Sequence, residues 1–314
     1  MANLADPELE TLCLPLAQGA VPWPREGGAL LLRARSGPAL MSLRGRGLVC
    51  EQSFKPWAAA LERDGFELAP PGSKHGLVML LAPRQRDEAR ARLAEAVDRC
   101  LPGGVVLACA ANNAGGRSLQ DDLARLCGEV QVLTKNHCRA SWTAPLPGAA
   151  DPALLTDWRA LDAPRPILDG RFTSRPGLFA WDRIDPASAL LADALPAALA
   201  GTAADLGGGW GFLSQALLAR CPGITRLDLF EAEARALDCA RANLADARVP
   251  VALHWHDVAT GVPGRFDVVV SNPPFHQSRA DDPALGRAFI AAAAGAGGRR
   301  GPPGGGGLRP PPRR

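Results

Sequence analysis

The stretch Asp205-Leu206-Gly207-Gly208-Gly209-Trp210-Gly211 decides the fold of the second half of this 314-residue chain. It lies between an apolar run and a segment with helical spacing, so it predicts a tight turn from a strand into a helix. The glycines at Gly207, Gly209 and Gly211 let the backbone turn sharply and approach a nucleotide-like ligand where any Cβ would collide. Turns of this kind bind several nucleotide cofactors and some bind nothing, so the turn alone predicts the local fold rather than the ligand.

The pattern around this turn is that of a doubly wound parallel sheet. Apolar runs alternate with helical segments, and each helix connects one strand to the next. The predicted strands begin at Thr202 and cover 224–230, 251–255 and 266–270, and the predicted helices cover 212–220, 232–244 and 284–294. After the last helix the chain gives Gly297-Gly298-Arg299-Arg300 and then glycine, proline and arginine to the end, which cannot form a strand. We therefore expect the C-terminal sheet to lack its last strands.

Two carboxylates follow later strands of this sheet. Glu231 lies about 20 residues beyond Gly211, the spacing at which an acid reaches the ribose hydroxyls of a nucleotide. Asp257 follows the next strand, where a carboxylate could accept from the exocyclic amine of an adenine. The alternative for Glu231 is a solvated acid at a helix N-terminus, which the helix dipole favours. The neighbouring His254 and His256 share one face of the strand and are expected to pack or to face solvent rather than to bind a metal.

Ser271-Asn272-Pro273-Pro274-Phe275 directly follows the predicted strand 266–270, at the sheet edge where ligands bind in this architecture. The two prolines restrict the backbone, so the Asn272 side-chain oxygen and the Pro273 carbonyl can point at one place. Two acceptors that bind the hydrogens of a planar exocyclic amine draw its nitrogen toward tetrahedral geometry and stabilise the charge that develops during methyl transfer. Phe275 offers a face on which a ring can stack. The motif predicts methylation of a planar amine, and a proline-rich turn without a ligand is the alternative.

The first half of the chain also alternates apolar runs with helical patterns, which predicts α/β layering. Strands are predicted at 29–34, 77–81, 105–110 and 130–134, with helices at 86–100 and 119–127 and a break at Gly103-Gly104. Residues 144–165 are rich in proline, alanine and aspartate and have weak periodicity, so they are predicted to end the first domain as a linker. Asp185-Pro186 then predicts an N-cap and a first helical proline for a helix that runs to about Leu199.

The composition is that of an ordinary globular protein, with 47% hydrophobic and 21% charged residues. Five arginines in residues 299–314 account for more than the whole formal net charge of +3, so bulk charge does not indicate a nucleic-acid partner. The eight cysteines form no CxxC pair and no zinc-binding spacing, so we expect reduced, mostly buried thiols. No apolar run is long enough to span a membrane and the first residues have no signal-peptide pattern, so a cytoplasmic location is expected.

The four signals together resemble one family of enzymes. DLGGGWG at 205–211, Glu231, Asp257 and SNPPFH at 271–276 are similar to the motifs of class I methyltransferases that use S-adenosylmethionine to modify the N2 amine of guanine in ribosomal RNA. The match is closest to the small-subunit enzymes and their large-subunit relatives. The segment from Phe179 to Asp185, FAWDRID, with Ser188 after it, also resembles the segment that precedes the catalytic domain in that family.

The resemblance implies a cofactor, a partner and a role for each motif. The cofactor is S-adenosyl-L-methionine, and the partner is ribosomal RNA or the small ribosomal subunit. No metal and no membrane are expected, and a monomer is expected. The implied cofactor-binding residues are Asp205, Gly207, Gly209 and Gly211, with Glu231 at the ribose and Asp257 at the adenine, and the implied catalytic residues are Asn272 and Pro273 at the amine and Phe275 against the base.

The resemblance also implies a tandem of Rossmann-like methyltransferase domains, because the family carries an N-terminal copy that has lost cofactor binding. Here the first half has no GxGxG, and its strand 77–81 is followed by Ala82-Pro83-Arg84-Gln85 in place of NPPF. Its segment from Lys135 to Arg139 also looks like a family segment. The expected domains are a degenerate copy at 1–165 that binds RNA or supports the fold, a catalytic domain at 166–298, and a disordered tail at 299–314.

The tail departs from the family pattern. We interpret it as a shifted reading frame that removes the last strands of the sheet, with a natural disordered tail as the alternative. Three other functions stay open at this point. They are methylation of a protein glutamine or of adenine N6, a catalytically inactive RNA-binding or ribosome-assembly protein, and an NAD-dependent oxidoreductase, which would leave the NPPF motif unexplained.

Overall fold

The structure is a computed structural model that describes residues 6–70, 72–147, 151–273 and 283–297. Phe275 and the tail at 299–314 lie outside the described residues. The chain divides into two compact units. The first unit contains Met1–Asp185, Gly209–Gly211 and Glu231–Ala245, and the second contains Pro186–Gly208, Phe212–Phe230 and Asp246–Arg314. The domain boundaries at 165 and 298 remain a prediction.

The first unit is built on a seven-stranded sheet. Its strands are β1 (Ala29–Leu32), β2 (Leu48–Cys50), β3 (Glu67–Leu68), β4 (His75–Leu81), β5 (Cys100–Ala111), β6 (Val130–Lys135) and β7 (Cys138–Thr143). Their order across the sheet is β3-β2-β1-β4-β5-β7-β6. The first five strands pair in parallel, whereas β7 runs antiparallel to both β5 and β6. The predicted α/β layering of this half is confirmed.

Helices cover both faces of this sheet because its strands are apolar on both sides. Leu31 and Met79 belong to the core on one face, and Leu30 and Val78 belong to the core on the other face; all four are fully buried. The helices of this segment are α1 (Pro7–Ala17), α2 (Pro38–Met41), α3 (Lys55–Arg63), α4 (Arg86–Asp98), α5 (Gly116–Cys127) and α6 (Pro152–Arg159), and a short hairpin, β8 (Arg165–Ile167) and β9 (Phe172–Ser174), follows them.

The rest of the chain forms a second α/β sheet. Its elements are α7 (Pro186–Ala194), β10 (Ala200–Leu206), α8 (Phe212–Arg220), β11 (Gly223–Glu231), α9 (Ala234–Asn243), β12 (Val251–Trp255), β13 (Val268–Ser271) and α10 (Pro283–Ala296). Helix α9 and the last residue of β11 group with the first unit. The strand order is β12-β11-β10-β13, and β10 runs parallel to β11 and to β13. The predicted parallel sheet is confirmed.

The two sheets repeat one arrangement. The order β3-β2-β1-β4 in the first sheet matches β12-β11-β10-β13 in the second, so β1 and β10 take equivalent places. The residue after each of these strands has a left-handed φ, which is 55° at Arg33 and 71° at Gly207. Glycine adopts this conformation at little cost, whereas an arginine there needs compensating contacts. Arg33 has such a contact, because its Nη1 lies 2.7 Å from Oε1 of the buried Glu88.

Two of the expected boundaries differ from the structure. Residues 144–165, predicted as a linker, contain α6, whose N-cap Asp151 accepts from the Leu154 N–H at 2.9 Å and whose Trp158 is buried. The weak periodicity hid this helix because it buries only two of its eight residues. The helix predicted from Pro186 to about Leu199 ends at Ala194, because Pro196 cannot continue it.

Within the described residues, β13 is an edge strand of the second sheet. Phe266, predicted as the first residue of this strand, lies before it and forms an isolated parallel bridge with Gly297. The Phe266 N–H donates to the carbonyl of Ala296 at 2.8 Å. The chain thus begins to pair with Phe266, just before β13, at Gly297, which is the last residue that the structure describes. The expected loss of later strands falls on residues outside the described ranges.

The cysteines are free thiols, and six of the eight are buried. Burial raises the pKa of Cys13, Cys50 and Cys127 to about 12 and that of Cys100 and Cys239 to about 11. Protonated thiols are poor nucleophiles and poor metal ligands. Among the described helices, none has the length and apolar character needed to cross a bilayer.

We expect the free energy of unfolding to fall as the pH rises above about 9. Unfolded thiols ionise near that pH, whereas the folded ones keep their protons until about 11 to 12, so the folded state binds more protons in this range and loses stability. Urea unfolding at about pH 8 and about pH 10 measures the change. The chain has no tyrosine, so the ultraviolet absorbance of thiolate can be followed directly. A thiolate midpoint near pH 9 in the folded protein would contradict the burial.

Candidate functional site

In the second unit the end of β10 carries a buried acid. Asp205 is 1% exposed, and its Oδ2 accepts a hydrogen bond at 2.7 Å from the hydroxyl of Ser214, a fully buried residue of α8. This contact orients the carboxylate and ties β10 to the helix that follows the glycine turn. A carboxylate in such a place is held at the sheet edge where ligands bind in this architecture.

The first part of the glycine turn packs tightly against β11. The N–H groups of Gly207 and Gly208 donate to the carbonyl of Phe230 at 2.8 and 3.3 Å. A Cβ at Gly208 would lie 2.5 Å from the Leu229 side chain, and Gly207 has the left-handed φ described above. A side chain at Gly208 would push the turn away from the strand, and one at Gly207 would strain the backbone.

In the first unit Glu231 holds the next glycine. Its Oε2 accepts from the Gly209 N–H at 2.8 Å, and its Oε1 accepts from the Glu233 N–H at 2.9 Å. Burial raises the pKa of this carboxyl, while the two backbone donors act in the opposite sense. Each carboxylate oxygen can accept more than one hydrogen bond, so this anchoring role is compatible with the predicted ribose contact.

Asn243 fixes the residue between the last two glycines. Its side-chain amide donates to the carbonyl of Trp210 at 2.7 Å and to that of Thr173 at 2.9 Å, and its oxygen accepts from the Thr173 N–H at 2.6 Å. The Trp210 ring packs edge-on against Phe172, with ring centroids 5.1 Å apart. All these residues belong to the first unit. Asn243 is not among the residues predicted from the sequence, where its only signal is that of a polar residue at the end of a predicted helix.

Asp257 follows β12 in the second unit, as predicted, but its side chain has a structural contact there. It caps the short 3₁₀ helix Val258–Thr260, and Oδ1 accepts from the Ala259 N–H at 2.9 Å. Its contact with an adenine amine stays a prediction.

The two histidines near Asp257 pack, as expected. The His254 ring stacks on Phe230 at 4.4 Å and its Nε2 lies 2.8 Å from Asp228, while the Nε2 of His256 lies 2.6 Å from the Gly261 carbonyl oxygen. Within the described ranges, no cluster of histidine, cysteine and acidic side chains could hold a metal.

Asn272 lies directly beyond β13, next to the end of β10. The strands pair with Leu206 opposite Ser271, and the Ser271 hydroxyl donates to the Leu206 carbonyl at 2.8 Å. The Asn272 side-chain N–H donates to the Ser188 hydroxyl at 2.8 Å, and Asn272 and Pro273 are half-buried. The second unit therefore brings Asp205, Gly207 and Asn272 to one sheet edge. Of the other predicted residues, Gly209, Gly211 and Glu231 lie in the first unit and Asp257 in the second.

The sequence of this part of the chain matches a known domain. Residues 169–301 match the family model described as "Methyltransferase small domain". These residues belong to that family. The resemblance to methyltransferases that was stated from the glycine turn, the carboxylates and the SNPPFH segment is thus confirmed, and these motifs fall inside the matched residues.

Similar proteins agree with this assignment. The chain is 31% identical over 220 residues to ribosomal RNA small subunit methyltransferase C of Pseudomonas aeruginosa strain LESB58, covering 68% of this chain and 64% of that protein. It is 30% identical over 195 residues to the protein of the same name from Salmonella newport, covering 62% of this chain and 55% of that protein. The chain thus spans less than two thirds of the length of these relatives.

A solved structure matches the whole fold. The Thermus thermophilus 16S rRNA N2 G1207 methyltransferase, determined with AdoMet and guanosine, aligns with a TM-score of 0.75 over 94% of this chain and 82% of that chain. The sequence identity is 22%. The match therefore confirms the architecture.

We expect the substitution Asn243→Ala to lower the free energy of unfolding by about 1–3 kcal/mol, because it leaves the Trp210 and Thr173 backbone groups without their partner. Urea unfolding measures the effect. Arg241→Ala on the same helix is the matched control, since its exposed ion pair with Asp238 contributes little. If the Asn243→Ala variant and the control have equal free energies of unfolding, the Asn243 hydrogen bonds do not stabilise the glycine turn.

Proposed function

We propose that this chain transfers a methyl group from S-adenosylmethionine to the exocyclic N2 amine of a guanine in ribosomal RNA. The observation that carries the proposal is the position of Asn272, half-buried at the end of β13 and beside the strand whose end bears Asp205 and Gly207. The names of the relatives and the guanosine in the Thermus structure support guanine in the small-subunit RNA as the target.

The residues present fit the proposed cofactor. Asp205 is a buried, oriented carboxylate, and Gly207 and Gly208 form a turn that a Cβ would disturb. In the proposal these residues, with Gly209 and Gly211, hold S-adenosylmethionine, Glu231 binds its ribose and Asp257 its adenine amine. When bound, S-adenosylmethionine supplies a methyl group that is activated by a positively charged sulfur.

The task of the protein in this reaction is to prepare the amine and to align it. The Asn272 side-chain oxygen and the Pro273 carbonyl accept hydrogen bonds from the N2 hydrogens, so the nitrogen lone pair is drawn out of conjugation with the guanine ring. The same two acceptors stabilise the positive charge that develops on N2, and this charge is lost when the methylated amine releases one of its protons to solvent. Alignment of the amine lowers the barrier further without a metal ion. The stacking role of Phe275 remains a prediction.

The remaining expectations belong to this proposal. We propose that the protein acts as a monomer on ribosomal RNA or the small ribosomal subunit in the cytoplasm. The first unit would support the fold or bind RNA. No bulk positive charge is required for this, since a local basic surface suffices.

Labelled methyl groups should appear on guanine N2 when the chain is incubated with radioactive S-adenosylmethionine and small ribosomal subunits or stripped ribosomal RNA. Asn272→Ala should lower kcat about 100-fold, because an acceptor used in the transition state is lost. Digestion of the RNA to nucleosides and chromatography identify the product. Adenine-containing DNA and a glutamine-bearing release-factor-like protein serve as competing substrates. Label on the protein or on adenine, with unlabelled guanine, would refute the choice of substrate.

Asp205→Asn should weaken the binding of S-adenosylmethionine by roughly 10- to 100-fold, because it removes a charged hydrogen-bond acceptor without a change of shape. Isothermal titration calorimetry of the full chain measures the affinity. Asp246→Asn, at an exposed position of the second unit, is the matched control and should bind as the wild type does. Wild-type affinity in the Asp205→Asn variant would remove this residue from the cofactor site.

A further inference from the structure

Ser188 contacts the amide that the proposed reaction uses. It is the third residue of α7, is half-buried, and accepts a hydrogen bond from Nδ2 of Asn272 at 2.8 Å. The two residues are 84 positions apart in the sequence, so the contact joins the start of one helix to the end of β13.

Helix α7, which carries Ser188, is attached to α8. It packs against α8, and the guanidinium of Arg220 in α8 donates to the carbonyl of Leu195 directly after α7. The thiol of Cys221 contacts the carbonyl of Pro196 in the same segment. The same helix α8 carries Ser214, which orients Asp205. Helix α8 thus contacts both Asp205, near the end of β10, and helix α7, whose Ser188 contacts Asn272.

The contact matters because an asparagine amide has two chemically different ends. Its oxygen accepts hydrogen bonds, whereas its NH₂ group donates them. Rotation by a half turn exchanges the two ends with almost no change of shape. An amine substrate presents hydrogens, so the oxygen must face it, and an NH₂ group in that place would repel it. In the structure the Ser188 hydroxyl accepts from the NH₂ end, and this arrangement turns the oxygen end of the amide away from Ser188.

We propose that Ser188 is a positioning residue that holds the NH₂ end of Asn272 so that the oxygen end is presented to the amine of the substrate. This inference rests on the proposed amine methylation. Ser188 itself does not touch the substrate in this scheme, and it acts only through the orientation of Asn272. Its loss therefore affects the turnover of bound substrate more than the binding of the cofactor.

Steady-state kinetics with the full chain and ribosomal RNA test the inference. Ser188→Ala should lower kcat roughly 5- to 10-fold, the size expected for the loss of one neutral hydrogen bond, with an unchanged KM for S-adenosylmethionine and an unchanged melting temperature. Ser188→Thr keeps the hydroxyl and should restore most of the activity. Asp193→Ala, at an exposed position of the same helix, is the matched control and should behave as the wild type does.

A double-mutant cycle separates positioning from a general structural role. If Ser188 acts through Asn272, Ser188→Ala should have no further effect on kcat in the Asn272→Ala background. An equal loss in both backgrounds, or no rescue by Ser188→Thr, would overturn the inference.

A second readout does not need turnover. In a ¹⁵N spectrum of the full chain, the side-chain NH₂ pair that disappears in Asn272→Asp belongs to Asn272. The chemical shifts of this pair should change in Ser188→Ala and stay close to the wild-type values in Ser188→Thr. Unchanged shifts in Ser188→Ala would overturn the inference. If the wild type binds S-adenosylmethionine but methylates no guanine, the proposed function fails, and the spectrum still decides whether Ser188 orients the amide.

Discussion

Three successive backbone N–H groups of the glycine turn are held by the end of β11, and the candidate site depends on this attachment. The carbonyl of Phe230 accepts from Gly207 and Gly208, and the carboxylate of Glu231 accepts from Gly209. Each of these three donors has a protein partner in the structure, so its position does not depend on a ligand. For the cofactor of the proposed function, this turn is largely preformed before binding, which lowers the entropic cost of association.

In the proposed function, one acid at this attachment serves two purposes. A carboxylate that only bound a ribose would be free to rotate in the absence of the ligand. Both carboxylate oxygens of Glu231 instead accept hydrogen bonds from backbone N–H groups. These bonds fix the direction of the remaining lone pairs. On the neighbouring strand, the hydroxyl of Ser214 fixes the Asp205 carboxylate in a comparable manner. Orientation by second contacts is thus a shared property of the polar groups at this edge.

Much of the fold could be predicted from the sequence, because long apolar runs separated by glycine and proline leave few alternatives. Helix α8 and strand β12 have the expected bounds, and Asn272 and Pro273 directly follow β13. The short strands β2 and β3 were missed, since three and two residues carry too little periodicity. The contacts of Asn243 and Ser188 could not be predicted, because their partners are 70 and 84 residues away and are chosen by packing rather than by local pattern.

The ion pair of Arg33 distinguishes the first sheet from the second. At the place where the second sheet has Gly207, the first sheet has a side chain tied to Glu88, which also lies 2.9 Å from the guanidinium of Arg235. The substitution Arg33→Gly would leave a buried carboxylate with one cation fewer, at a cost in stability. An ion pair thus stabilises the first sheet at the place where the second sheet keeps a glycine, so the substitution that would open this turn also weakens the fold.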